Sequence, residues 1–115
     1  MRSLASILGV AAFAFACSSS STSSAANCAS SGAAATISAS DGLTFGPSSA
    51  TITHGQSVCW QNTGAIAHTV TSNDNTSFNS NLAGGAMFQH TFPTAGAFPY
   101  RCTIHPGMAG TITVN

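Results

Sequence analysis

From about Ala33 onward the chain settles into one pattern. Short runs rich in Thr, Ile, Val and Phe alternate with Gly, Pro, Asn and Ser, the punctuation of an all-β sandwich or barrel. The pattern predicts strands at 35–39, 50–53, 57–62, 69–72, 88–92, 97–102 and 110–114. Successive side chains of a strand face opposite ways, so Val58 and Trp60 share one face, and Phe98, Tyr100 and Cys102 share another. Cys102 should therefore continue a core-facing row at the end of its strand, with Ile112 and Val114 closing the core. Residues 73–86 are polar and contain Gly, and are expected to be loop. Nothing after residue 16 has the spacing of a helix. Elements this short and regular favour two packed sheets, giving an all-β sandwich of seven to eight strands.

The first 16 residues, MRSLASILGVAAFAFA, stand apart. Arg2 precedes an apolar run over 4–16 that is too short to span a bilayer, which marks an export signal outside the fold. An exported protein can keep disulfides. Cys17 follows the run directly, where a bacterial lipoprotein carries its lipidated first residue. The match departs from that pattern in having Ala14, not Leu, three places before Cys17, and a bulky Phe15. Cleavage near Ala25 or Ala26 would instead discard Cys17. Residues 17–32 are Ser-rich; within them SSSSTSSAA at 18–26 has no apolar face and reads as a flexible linker. One domain, 33–115, remains, as the length of 115 residues allows.

Charge is nearly absent. Beyond residue 16 the chain keeps Arg101, Asp41 and Asp74, a formal charge of +1 − 2 = −1. Nucleic-acid binding is disfavoured, because phosphate neutralisation needs Lys and Arg. Long-range steering of a partner should be weak.

The chemistry concentrates in YRCTIHPGMAG, residues 100–110. Cys102, His105 and Met108 offer a thiolate, an imidazole and a thioether at C-x2-H-x2-M spacing, which one tight loop can bring to a single point. Soft sulfur with imidazole favours copper cycling between Cu(I) and Cu(II), and blue-copper sites use two His, one Cys and a weak axial Met. The missing imidazole is expected from His68, in AIAHTVT at 65–71. Structural zinc usually needs a second Cys or His pair at short spacing, which the chain lacks. A Cys/His nucleophile pair is conceivable, but a loop that also carries Met suits a metal better. His54, in a turn, is expected to be exposed. His90 shares parity with Phe88 and Phe92 and is expected to be a partly buried structural residue.

GQSVCWQNTGAIAHTV (55–70) and HTFPTAGAFPYRCTIHPGMAGTITV (90–114) resemble the two halves of a small cupredoxin of the plastocyanin/amicyanin type. The likeness covers 33–115, and the short His-to-Met spacing is nearest to amicyanin. It implies a Greek-key sandwich, one copper ion, and single-electron transfer between redox proteins by a monomer that is not an enzyme. It also implies that His105 turns its ring edge outward within an apolar docking patch made by Ile66, Ile104 and Pro106. Ile104 departs from many relatives, which have Pro before this His. A copper storage or delivery role is the alternative, though such proteins often carry exposed Met- or His-rich tracts that are missing here. A multicopper enzyme would need further copper sites.

Four cysteines remain to be assigned. With Cys102 given to copper and Cys17 to the lipid or the discarded signal, Cys28 and Cys59 are left. Alternation points Cys59 away from the face shared by Val58 and Trp60, and Cys28 lies just before the first strand. A Cys28–Cys59 disulfide is expected, tying the N-terminal segment to the sheet; two separate thiols are the alternative.

Overall fold

A computed structural model describes residues 27–115. The expected export signal, the expected lipidation site Cys17 and the expected linker up to residue 26 lie outside the described residues. Nine strands form two sheets: β1 (Ala35–Ala39), β2 (Phe45–Gly46), β3 (Ser49–Ile52), β4 (Ser57–Asn62), β5 (His68–Ser72), β6 (Asn79–Leu82), β7 (Met87–Thr91), β8 (Gly96–Arg101) and β9 (Ala109–Val114). One sheet runs β2-β1-β4-β7, the other β3-β9-β8-β5-β6. The pairs β1–β4 and β3–β9 are parallel and the remainder antiparallel.

The core is the space between the sheets. Trp60 on β4 is fully buried, with its ring centroid 5.3 Å from Tyr100 of β8, 5.6 Å from Phe78 and 5.7 Å from Phe88. Val58, Val70, Ile112 and Val114 fill in around it. Tyr100 faces Gly110 across the β8–β9 ladder. A Cβ at Gly110 would run into the Tyr100 ring and the Ser48 carbonyl, so only glycine lets the ring lie flat over the neighbouring strand. Burial pushes the Tyr100 phenol up to about 12.

Four local expectations change. Residues 73–86 are not all loop, because β6 occupies Asn79–Leu82 and pairs with β5 from Thr71↔Asn79 to His68↔Leu82. Leu82 is its one buried residue, a single apolar position that gives no visible alternation. The drive comes from its partner, since every residue of β5 is buried. The second change is β2, a two-residue strand too short to have a period. Cys102 lies one residue beyond β8 rather than at its end, although it is buried as expected. Residues 27–32, read as the end of the linker, carry a 3-10 turn at Cys28–Ser30 capped by Asn27.

That turn covers the outer face of β4. Cys28 and Cys59 form a disulfide with 5.7 Å between their Cα atoms, and the Gln61 side chain accepts from the Cys28 N–H at 3.0 Å. Cys59 does point away from the core, but the turn buries it completely. Between β5 and β6, Asp74 accepts hydrogen bonds from Ser72, Ser77 and Thr76, which hold its carboxyl well below the ordinary carboxylate range. Among the described residues no helix is long and apolar enough to cross a membrane.

Candidate metal centre

One end of the sandwich gathers three loops. His68 opens β5 and is buried. Residues 102–108 join β8 to β9 just beyond the last ladder pair, Arg101↔Ala109. The Cys102 N–H donates to the Met108 carbonyl at 2.9 Å, and the Met108 N–H to the His105 carbonyl at 3.1 Å. The loop is thus closed on itself by its own donor-bearing residues. Pro106 has a preset φ and no N–H to satisfy. Gly107 has φ 88°, a left-handed conformation that favours glycine.

Three of the four predicted donors, His68, Cys102 and His105, lie together. Nδ1 of His68 lies 3.1 Å from Nδ1 of His105; Sγ of Cys102 lies 3.4 Å from the His105 nitrogen and 4.0 Å from that of His68. Donors held about 2.0–2.3 Å from one shared ion, spread around it, stand roughly 3.3–3.8 Å apart. The spacings of 3.1, 3.4 and 4.0 Å bracket that range, near enough for small side-chain shifts to bring all three atoms onto one ion, and a soft thiolate with two imidazoles is a donor set copper accepts. Among the described residues this is the one such group of His, Cys and acidic side chains. Met108 is buried and belongs to the same hydrophobic cluster as Cys102.

The neighbours orient these donors. His68 Nε2 lies 3.0 Å from the Ser40 carbonyl. A carbonyl only accepts, so Nε2 carries the proton and Nδ1 keeps its lone pair for a metal. The Thr69 N–H points at Cys102 Sγ, 3.4 Å away, and orients the sulfur. The Thr69 hydroxyl oxygen accepts from the Thr103 N–H at 2.8 Å and sits 3.1 Å from the Thr103 hydroxyl. The His68 strand is in this way locked to the Cys102 loop. Nothing in the periodicity of the sequence marks Thr69 or Ser40; hydroxyls and carbonyls become significant only through the loops they face.

Around the donors the surface is apolar. Ile66 is 41% exposed and Ile104 52% exposed, so both are surface residues rather than core. Pro106 is exposed, and His105 is half-buried between them in the chain. Leu43, 41% exposed, is a third such residue that sequence reasoning missed. It sits in the β1–β2 turn, with φ 61°, beside the Ser40 and Asp41 contacts. His54 is exposed, with Nδ1 3.1 Å from the Asn115 carbonyl. His90 is half-buried among Phe92 (4.8 Å), Phe78 (5.0 Å) and Phe88 (6.3 Å), and burial lowers its pKa. Neither joins the donor group. A cavity of about 270 Å³ lined by His90, Phe92 and Phe98 includes none of His68, Cys102 and His105.

The comparisons agree with this geometry. A model of the copper-binding proteins of the plastocyanin/azurin family matches residues 32–115. A plastocyanin from Scenedesmus fuscus is 35% identical over 88 residues, covering 65% of this chain and 90% of its own. Among solved structures, a purple cupredoxin from Nitrosopumilus maritimus superposes with TM-score 0.65 at 30% identity, over 70% of this chain and 99% of its own. An amicyanin from Paracoccus versutus superposes with TM-score 0.64 at 24% identity, over 71% of this chain and 81% of its own, a likeness of fold.

Proposed function

The chain belongs to the plastocyanin/azurin family of copper-binding proteins, and on that premise we propose that it carries single electrons between redox partners in the cell envelope. His68, Cys102 and His105 would hold the copper ion, with Met108 as a further, weakly bound thioether donor. The single observation that carries the reading is the convergence of His68 Nδ1, Cys102 Sγ and His105 Nδ1 within 4.8 Å of one another. When bound, copper supplies a one-electron Cu(I)/Cu(II) couple.

The chain's own contribution is to keep the donors still. A carrier that must not rearrange when its charge changes needs donors fixed by packing. Here they sit at the start of a fully buried strand and in a loop closed by two backbone hydrogen bonds. The Thr69 N–H toward Sγ orients the sulfur, and the Ser40 carbonyl on His68 Nε2 turns Nδ1 toward the metal. Ile66, Ile104 and Pro106 exclude water around the exposed edge of His105 and form the face on which a redox protein docks. The protein acts as a monomer, exported by residues 1–16 and anchored, where Cys17 is lipidated, at a membrane. Storage or delivery of copper is less well supported, because the donors are buried or half-buried rather than open to exchange. The test is an absorption spectrum of the copper-loaded protein through reduction and reoxidation. An intense visible thiolate band that bleaches and returns supports the carrier; a colourless or non-cycling protein defeats it.

A further inference from the structure

The loop that delivers His68 donates its backbone outward. The Thr63 N–H goes to the Ala39 carbonyl at 2.9 Å. The Gly64 N–H goes to Asn62 Oδ1 at 2.9 Å. The Ala65 and Ile66 N–H groups both go to Asp41 Oδ1, at 2.9 and 3.0 Å. In return Asn62 Nδ2 donates to the Ile66 carbonyl at 2.7 Å and to the Leu82 carbonyl at 3.0 Å. Leu82 stands opposite His68 in the β5–β6 ladder. Four consecutive amides are therefore held by two side chains and one strand end, immediately before a ligand.

The two side chains differ in setting. Asn62 is 1% exposed, and its amide uses both ends on this loop and on β6. Asp41 is exposed, one of only two acids in the chain, and spends one carboxylate oxygen on two amides. Gly64 fits the same arrangement, because a Cβ there would fall on the Asp41 carboxylate. The turn that carries Asp41 also supplies the Ser40 carbonyl to His68 Nε2. Asp41 thus fixes the turn and the loop relative to each other, and His68 is gripped from both.

We propose that Asp41 and Asn62 are positioning residues that clamp residues 63–66 and thereby hold His68 ready for the metal; the inference rests on the copper reading above. Neither touches a donor atom. Their effect is to remove the freedom of the loop before the ion arrives, so that little ordering remains to oppose binding. One oxygen accepts both amides, so acceptor geometry and not charge should matter.

The test compares Asp41→Ala, Asp41→Asn and Gly64→Ala with wild type, by amide hydrogen exchange of the metal-free protein and by copper affinity with the visible spectrum. Asp41 is on the surface, so its variants should fold. In Asp41→Ala, exchange at Ala65 and Ile66 should rise at least tenfold, and copper affinity should fall by about 10-fold or more, the range for lost outer-shell partners. Asp41→Asn, which keeps a carbonyl oxygen, should restore most of both. Gly64→Ala should reproduce the Asp41→Ala effects with the carboxylate still present, because the new methyl pushes it aside. Asn62→Ala should show the same signature more strongly at some cost in fold stability. Unchanged exchange and affinity in Asp41→Ala overturns the clamp, and so does an Asn variant as impaired as the Ala one. A wild type that binds no copper overturns the reading of the site instead, while exchange at Ala65 and Ile66 still decides whether the clamp exists.

Discussion

Cys102 is the residue on which the colour should depend. Its sulfur is buried, faces both imidazole nitrogens and takes the Thr69 N–H. Thiolate-to-copper charge transfer should make the oxidised protein intensely blue, and Cys102→Ser should abolish the band, since a hydroxyl cannot replace the thiolate. A blue Cys102→Ser protein would show that the assignment is wrong. Met108 holds a different position. An axial thioether binds weakly, so Met108→Leu should keep a coloured site with a shifted potential, read by spectroelectrochemistry. A colourless Met108→Leu protein would mean that Met108 is a principal ligand.

Between elements, the N-terminal turn and β4 are joined by the Cys28–Cys59 disulfide across a sequence separation of 31 residues. Closing a loop of that size in the unfolded chain is worth about 3–4 kcal/mol in the chain-entropy model. The double variant Cys28→Ala with Cys59→Ala should lose stability of that order in denaturant melts, with a further contribution from the space left at a fully buried Cys59. The copper band should remain, because the disulfide lies on β4 and the donors lie on β5 and the 102–108 loop. Loss of less than about 1 kcal/mol would show that the N-terminal turn contributes little to the folded state. In the intact protein, mass spectrometry without reduction should find Cys28 and Cys59 joined and alkylation absent at both.

For the molecule as a whole, scarcity of charge decides how partners are met. With Arg101, Asp41 and Asp74 as its charged residues beyond residue 16, salt has little to screen. Electron-transfer rates should vary only weakly with ionic strength, and Ile104→Asp should slow transfer without bleaching the copper. A steep salt dependence in wild type would contradict the apolar docking face. Stability should instead respond to acid through His90. Burial lowers its pKa, so the unfolded chain takes up the proton more readily than the fold does. The stability associated with its neutral form is present above the ordinary imidazole value of about 6.5 and is lost as pH falls below it. In copper-loaded protein, where His68 and His105 are occupied, His90→Phe should flatten the decline in stability between about pH 7 and pH 5. An unchanged slope would place the acid sensitivity elsewhere.

What the sequence by itself determined follows from local rules. Short runs of Thr, Ile, Val and Phe between Gly, Pro, Asn and Ser marked seven of the nine strands among the described residues, because such side chains suit a pleated, packed surface and such breakers suit turns. The C-x2-H-x2-M spacing marked Cys102 and His105 as neighbours, because seven residues in one loop cannot scatter them far. Counting pointed to the disulfide, because with Cys102 given to the metal and Cys17 to a lipid or a discarded signal, Cys28 and Cys59 were the two left, and the structure joins them. The tertiary structure decided what depends on a partner. β6 has a single buried residue, Leu82, and exists through β5; β2 is too short to have a period. His68 is one imidazole among four in the chain, and only the stacking of β5 beside β8 brings its Nδ1 to Cys102 and His105. Thr69, Ser40, Asp41 and Asn62 are ordinary polar residues in the sequence. Their roles come mainly from hydrogen bonds spanning 20 to 34 positions, and contacts at such separations are set by how the strands and loops pack, which no local pattern of apolar and polar residues specifies.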